Sequence, residues 1–340
     1  MKYLHLMILS IFLNFSCQKN NKNLHLNLTE EEIPLGEKLT ETPIKTKDDL
    51  SVIRTAIRGS SLIAQNQHPE HDLLTIFDIN TLQLKGKILR QGKKHNSAEL
   101  FEMSDNQVGL FDKDRKKIGV FRVNENRSLN KIDEKYSKDL KTCPIDCGDS
   151  FIYTRYSRND KGQRWKEIVK LPKDNGEAKV IYDFPDFKYK PTKEYYCLYK
   201  VNKDAQRIAI AYTGHRRIDI IDFKGNLIRK ITVSPDAQLE GENKDSKKPQ
   251  NRIIEYSDLR ANSKYIITKY SGGAVFNRNT KAKELFEVYD WDGNPIKRFK
   301  TNNSFLRFRI LPSAEDSIKL LGILAWDYSL ATFVVLKARV

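Results

Sequence analysis

The chain has 340 residues, of which 39% are apolar and 31% charged, with 16 Gly, 11 Pro and 4 Cys. That composition excludes a collagenous or low-complexity chain and a miniature fold held by disulfides. Its 60 Lys plus Arg against 44 Asp plus Glu give a net charge of +16, and no internal run reaches the roughly 18 apolar residues that a membrane helix needs.

The first expected element is a secretory signal peptide over residues 1–16. Met1-Lys2 is a basic start, Leu4 to Phe15 a largely apolar run, and Ser16-Cys17 a small-residue break before the polar QKNNKN. The apolar run is too short to span a bilayer stably, as a cleaved leader should be. The segment LNFSC resembles a bacterial lipobox, which implies lipidation of Cys17 as the first residue of a lipoprotein. The alternative is cleavage near Ser16 with Cys17 left as a thiol. Acyl chains on one cysteine anchor a protein to a membrane without a transmembrane helix.

Residues 17–55 then read as the lipidated cysteine and a flexible tether, with room for one short strand near its end. Asn, Thr, Glu and Lys dominate, Pro34 and Pro43 act as breakers, and apolar residues are scattered. The stretch is near neutral, so the excess of base belongs to residues 56–340.

From residue 56 onward, short alternating runs rich in Ile, Val, Phe and Tyr are separated by Asn, Asp, Gly and Lys turns. A hairpin unit recurs at 73–89, 107–123, 218–233 and 285–301, with weaker copies at 166–184 and 330–340. Aromatic or β-branched residues precede Asp78, Asp112, Asp222 and Asp290, and Gly225 and Gly293 mark tight turns. The period of about 52 residues suits four-stranded propeller blades with lengthened loops. A run before each hairpin is expected to supply the inner strands: 60–67, 98–105, 149–157, 206–214, 264–272 and 319–327. The expected fold is all-β, a six-bladed β-propeller over residues 56–340, because a single blade cannot bury both faces and blades must stack radially. The recurring aspartates are expected to be turn hydrogen bonders rather than catalysts.

The SCQKN start, the polar tether, the I-x-x-[FYI]-D-x-x-G units and the segment YSGGAVFNRNTKAKELFEVYDWDGNPIKRF (270–299) together resemble the TolB-like six-bladed propeller lipoproteins of Bacteroidetes. Relatives of that kind often carry G-x-G-P-x-E-F early in the propeller. Here the stretch is RQGKKHNSAELF, which keeps Gly92 and Glu99 but not the second Gly or the Pro. The resemblance implies fold and a cell-envelope location, lipid-anchored at the outer membrane, more readily than an activity.

Candidate chemistry is sparse. Cys143 and Cys147, a C-x3-C pair between blades, are candidates for a local disulfide in an exported protein, with pairing to Cys197 an open alternative. His68-Pro-Glu-His71-Asp72 gathers imidazoles and carboxylates that a divalent ion accepts, although Pro69 and the place just before a strand favour a solvated inter-strand turn. His215, Arg216 and Arg217 are expected in a loop that faces solvent or meets an anion. A carboxylate pair across the channel, for example from Glu99, Asp149 or Asp327, would serve glycoside cleavage. No G-x-S-x-G elbow, P-loop or H-E-x-x-H is present, and no motif calls for a cofactor. The long polar insertions at 234–263 and 270–284 mark one working face.

These readings favour a monomeric, lipid-anchored extracytoplasmic binding or scaffolding propeller. Its partners would be the membrane through its lipid and an envelope protein or glycan, not nucleic acid. With no local catalytic motif, enzyme activity is not expected. The alternative is an extracytoplasmic carbohydrate-active enzyme, a glycan hydrolase or lyase, with residues from several blades meeting at the channel mouth.

Overall fold

A computed structural model describes residues 24–36, 39–44, 52–66, 72–81, 83–90, 98–103, 106–124, 128–136, 140–158, 164–174, 176–184, 197–233, 253–274, 284–301, 305, 307–313, 317–327 and 330–339. Among them are two N-terminal strands, His25–Leu28 (β1) and Thr40–Ile44 (β2), followed by six antiparallel sheets. The first blade is Val52–Arg58 (β3), Ser61–Asn66 (β4), Asp72–Asp78 (β5) and Leu84–Arg90 (β6). The second is Ala98–Glu102 (β7), Gln107–Asp112 (β8), Lys117–Val123 (β9) and Leu129–Tyr136 (β10). The third is Ile145–Asp146 (β11), Ser150–Arg158 (β12), Arg164–Pro172 (β13) and Lys179–Asp183 (β14).

The fourth blade is Cys197–Asn202 (β15), Arg207–Tyr212 (β16), Arg217–Asp222 (β17) and Leu227–Val233 (β18). The fifth is Ile253–Ala261 (β19), Tyr265–Ala274 (β20), Leu285–Asp290 (β21) and Pro295–Lys300 (β22). The sixth is Arg307–Leu311 (β23), Ser317–Asp327 (β24) and Leu330–Arg339 (β25), completed on its outside by β2. Six buried apolar clusters fill the six seams between successive blades. Each strand presents alternate residues to the seam on either side, which is why both faces of a blade are apolar.

The recurrent aspartates are turn formers. Oδ1 of Asp222 accepts from the N–H groups of Lys224 (2.8 Å) and Asn226 (2.9 Å), and Oδ1 of Asp290 from those of Asp292 (2.9 Å) and Asn294 (2.8 Å). Asp78 and Asp112 do the same for their own turns. The copy at 107–123 differs in place: it forms β8 and β9, the middle pair of its blade, whereas Asp78, Asp222 and Asp290 lie in the turn between the two outer strands.

The segment read as a flexible tether is in large part structural. β1 adds in parallel to β18, Leu35 bridges to Arg298 of the fifth blade, and β2 pairs with β25 over five residues. Residues 24–44 therefore cross the outside of the fourth, fifth and sixth blades in turn. The scattered apolar residues have a physical reason. Leu28 and Ile33 enter the seam between the fourth and fifth blades, and Leu39 enters the next one. β3, which straddles the expected tether boundary at residue 55, begins the first blade. Residues 1–23, including the leader and Cys17, lie outside the described residues.

Candidate functional site

The innermost strands β3, β7, β11, β15, β19 and β23 surround the central channel. Four of them bring cations: Arg54 and Arg58 on β3, Lys200 on β15, Arg260 on β19, and Arg307 and Arg309 on β23. The carboxylates of these strands are Glu99 and Glu102 on β7, Asp146 on β11, and Glu255 and Asp258 on β19; Asp146 is buried and paired with Lys173, and Glu255 interacts with Arg216. An innermost strand has one β neighbour only, so backbone groups on its other edge need side chains or water. Arginines answer part of that demand. Nε of Arg260 donates to the Phe308 carbonyl at 2.7 Å, Arg309 to the carbonyl and hydroxyl of Thr55, and Arg58 to the carbonyls of Gln107 and Met103. Each guanidinium ties one blade to the next. In return, the Ile57 N–H donates to Glu102 and the Phe308 N–H to Asp258, both at 3.1 Å.

The charges also meet across the lumen. Glu102 lies 3.9 Å from Arg58 of the first blade and 4.0 Å from Arg309 of the sixth, and it interacts with Lys200 of the fourth. Its side chain keeps 43% exposure, which at this place means contact with channel water. Burial works to raise the Glu102 carboxyl, but Arg309, Arg58 and Lys200 outweigh it and hold the pKa below the usual carboxylate range.

Lys200 is pulled down to about 7, first by burial within the ring and then by Arg260 and Arg309, with Glu102 and Asp258 opposing. Among the described residues its amine makes no hydrogen bond or ion pair. Burial and Arg260 also push Arg309 down to about 9, and burial lowers Arg307 and Arg58. Four of the six basic groups thus hold their protons less firmly than in water. A bound anion would favour their charged forms. Toward the start of the inner strands, Arg54 pairs with Glu99 at 2.7 Å, and each side chain is about one-third exposed. This is also the end of the propeller from which the two long insertions leave β18 and β20.

Arg216 and Arg217 are spent elsewhere. Nε of Arg216 donates to Oε1 of Glu287 at 2.9 Å, and its guanidinium lies 3.9 Å from the Tyr270 ring centroid. Glu287 is fully buried and also accepts from the hydroxyls of Tyr256 (2.8 Å) and Tyr289 (3.0 Å). Arg217 grips Asp219 at 2.7 and 2.6 Å, and the hydroxyls of Tyr212 and Tyr182 complete that carboxylate. The solvent-facing loop expected of these arginines is corrected on this point: two carboxylates buried in blade seams require them as counterions. His215 is half-buried in the same turn. His68 and His71 lie outside the described residues.

The disulfide expectation is likewise corrected, since Cys143, Cys147 and Cys197 are all thiols. Cys143 packs in the seam between the second and third blades and Cys147 in the seam between the third and fourth. The two thiols thus lie in different seams, one on each side of the third blade. Burial pushes both thiols up to about 12. Asp149 sits exposed beside a turn, Glu99 lines the channel, and the Asp327 side chain lies outside the described residues. Among the described residues, no three His, Cys, Asp or Glu side chains are grouped to hold a metal. Sequence reasoning missed Arg54, Arg58, Glu102, Lys200, Asp258, Arg260, Arg307 and Arg309. Their signal was charge at alternate positions of β-rich runs, as in VIRTAIR and RFRIL.

Six sheets around a charged channel define a six-bladed β-propeller. The chain belongs to the TolB-like 6-blade propeller-like family, whose model matches residues 51–310. No curated protein matches the sequence. A crystallised member of the DUF4221 family from Bacteroides vulgatus is 13% identical, with a TM-score of 0.53 over 90% of this chain and 98% of that one. A putative exported protein from Bacteroides fragilis is 10% identical, with a TM-score of 0.48 over 93% and 99%. Virginiamycin B lyase from Staphylococcus aureus is 11% identical, with a TM-score of 0.46 over 89% and 100%. The expectation that the chain is not an enzyme is withdrawn. That expectation rested on the lack of a local motif, whereas the channel gathers ionisable groups from five blades.

Proposed function

We propose that this propeller is extracytoplasmic and takes an anionic glycan into its central channel. The observation that carries the reading is the gathering of six cations on the innermost strands, four of which, Arg58, Lys200, Arg307 and Arg309, are held below their ordinary pKa. A uronate residue supplies one planar carboxylate per sugar ring, which the guanidinium fork matches in two parallel hydrogen bonds. Titration calorimetry with trigalacturonate and with maltotriose tests it. Trigalacturonate should bind and maltotriose should not, and Lys200→Met or Arg307→Met should weaken binding at least tenfold. Equal binding of the two sugars, or indifference to both substitutions, overturns the reading.

The leader over residues 1–16 and Cys17 support export and a lipid anchor at the outer membrane. Mass spectrometry of the mature protein should find acyl mass on an N-terminal Cys17. An unmodified N terminus contradicts the anchor.

Lys200 favours a second reading, elimination on the bound uronate. Arginines that neutralise the carboxylate make the adjacent C–H more acidic, and an amine titrating near 7 is suited to accept that proton. The C–H bond breaks, a C=C bond forms, the C–O bond to the next sugar breaks, and Lys200 returns the proton to the leaving oxygen. The product is an unsaturated uronate, followed by its ultraviolet absorbance with polygalacturonate, alginate or hyaluronan as substrate. The rate should rise with pH through about 7 and fall at least a hundredfold in Lys200→Met. No product from any of the three polymers overturns this second reading and leaves the calorimetric test of binding intact.

A further inference from the structure

A second concavity lies at the end of the propeller where the innermost strands β7, β11 and β15 finish. It has a volume of about 550 Å³ and is lined by Met103, Gln107, Val120, Ile132, Asp133 and Lys135 of the second blade, Gly148 and Lys173 of the third, and Lys203 of the fourth. That size is within the range of pockets that hold small organic molecules.

Two features set it apart from an ordinary dent between turns. The first is a β-bulge in β10. Register with β9 passes from Lys131 opposite Phe121 directly to Asp133 opposite Val120, leaving Ile132 as the extra residue. Bulges re-aim a side chain, and here Ile132 is left 42% exposed on the pocket wall. An exposed isoleucine beside Met103 and Val120 gives the pocket an apolar side. The second feature is the arrival of lysines from three different blades. Lys173 is anchored by the buried Asp146 at 2.6 Å and lies 4.9 Å from the Phe151 ring centroid, so its position is fixed. Lys135 is 3.8 Å from Asp133. Lys203 is exposed on the turn after β15 and, among the described residues, its amine has no hydrogen bond or ion pair.

We propose that this pocket binds an amphiphilic anion, a carboxylate, sulfonate or phosphate carried on an apolar body. The acidic group sits toward Lys203 and Lys173, and the body lies on Ile132, Met103 and Val120. Its lining includes none of the six channel cations, and the inference does not rest on the glycan reading.

The test uses the full folded chain and the fluorescent sulfonate 8-anilinonaphthalene-1-sulfonate, with decanoate as competitor. Fluorescence should rise saturably with one site per chain and be displaced by decanoate. Lys203→Glu and Ile132→Asp should each weaken the affinity at least tenfold while leaving the melting temperature within a few degrees of the parent. Trigalacturonate should not displace the dye. Failure to saturate, affinity unchanged in both variants, or displacement by trigalacturonate but not decanoate overturns the proposal. If both variants lose their cooperative melting transition, Lys203→Gln and Ile132→Thr replace them, and unchanged affinity in both again overturns it.

Discussion

At the residue scale, Lys200 carries the most consequence. Its amine titrates near 7 in the folded channel and near 10.5 in the unfolded chain. Between those values the unfolded chain binds more protons, so the contribution of this group to stability rises with pH through that window and is lowest below it. We therefore expect Lys200→Met to be more stable than the parent at pH 6, with the difference shrinking as the pH approaches 9. Thermal unfolding at three pH values checks this, and a constant difference counts against the assignment. The buried pair of Arg216 and Glu287 makes an opposite case. Glu287→Ala leaves a buried guanidinium without its main partner and should cost about 3–5 kcal/mol, read from denaturant unfolding. Arg216→Met added to it should recover part of the loss. The turn aspartates were legible in the sequence because an Asp-x-x-Gly turn is a local device. The counterion of Arg216 was not, since Glu287 lies 71 residues away.

At the element scale, the hairpins announced themselves through apolar alternation, whereas five of the six innermost strands were not recognised. A strand such as VIRTAIR or RFRIL has seam residues on either side and a polar channel beside it, so charge interrupts the pattern that marks a strand. The functional residues lie on the strands that are hardest to read for the same reason: polarity facing the channel is what the site is made of. The N-terminal strap was missed because its three anchors Leu28, Ile33 and Leu39 have no strand or helix period; blade seams set their spacing. Removing residues 1–36 takes away β1, Leu28, Ile33 and the ion pairs of Glu30 with Arg216 and Arg298. Two buried aliphatic side chains are worth about 3–6 kcal/mol, so the truncated propeller should melt earlier but still cooperatively, because β2 remains to complete the sixth blade. A further element-level expectation concerns Gly225, at φ +90°, where a Cβ would stand 1.6 Å from the Ile181 carbonyl oxygen. Gly225→Ala should cost at least about 2 kcal/mol by denaturant unfolding and loosen the contact of the third and fourth blades.

At the scale of the whole molecule, the net charge of +16 acquires a location. The sequence suggests a diffuse basic surface; the fold draws six of the cations onto the innermost strands, where burial makes four of them hold their protons less firmly than in water. Channel walls exclude much of the surrounding water and salt, so this field is screened less than one on an open surface. Binding of trigalacturonate should still weaken as ionic strength rises, more steeply in the parent than in Arg307→Met. The central claim is that an anion completes the charge of this lumen at Lys200. The most direct measurement is the rate of Lys200 acetylation by acetic anhydride, followed by peptide mass spectrometry across pH with and without trigalacturonate. Free protein should label Lys200 with a midpoint near pH 7, and saturating trigalacturonate should suppress that labelling while surface lysines react as before. A Lys200 that titrates like an ordinary lysine, or labels equally fast with the ligand present, would contradict the account.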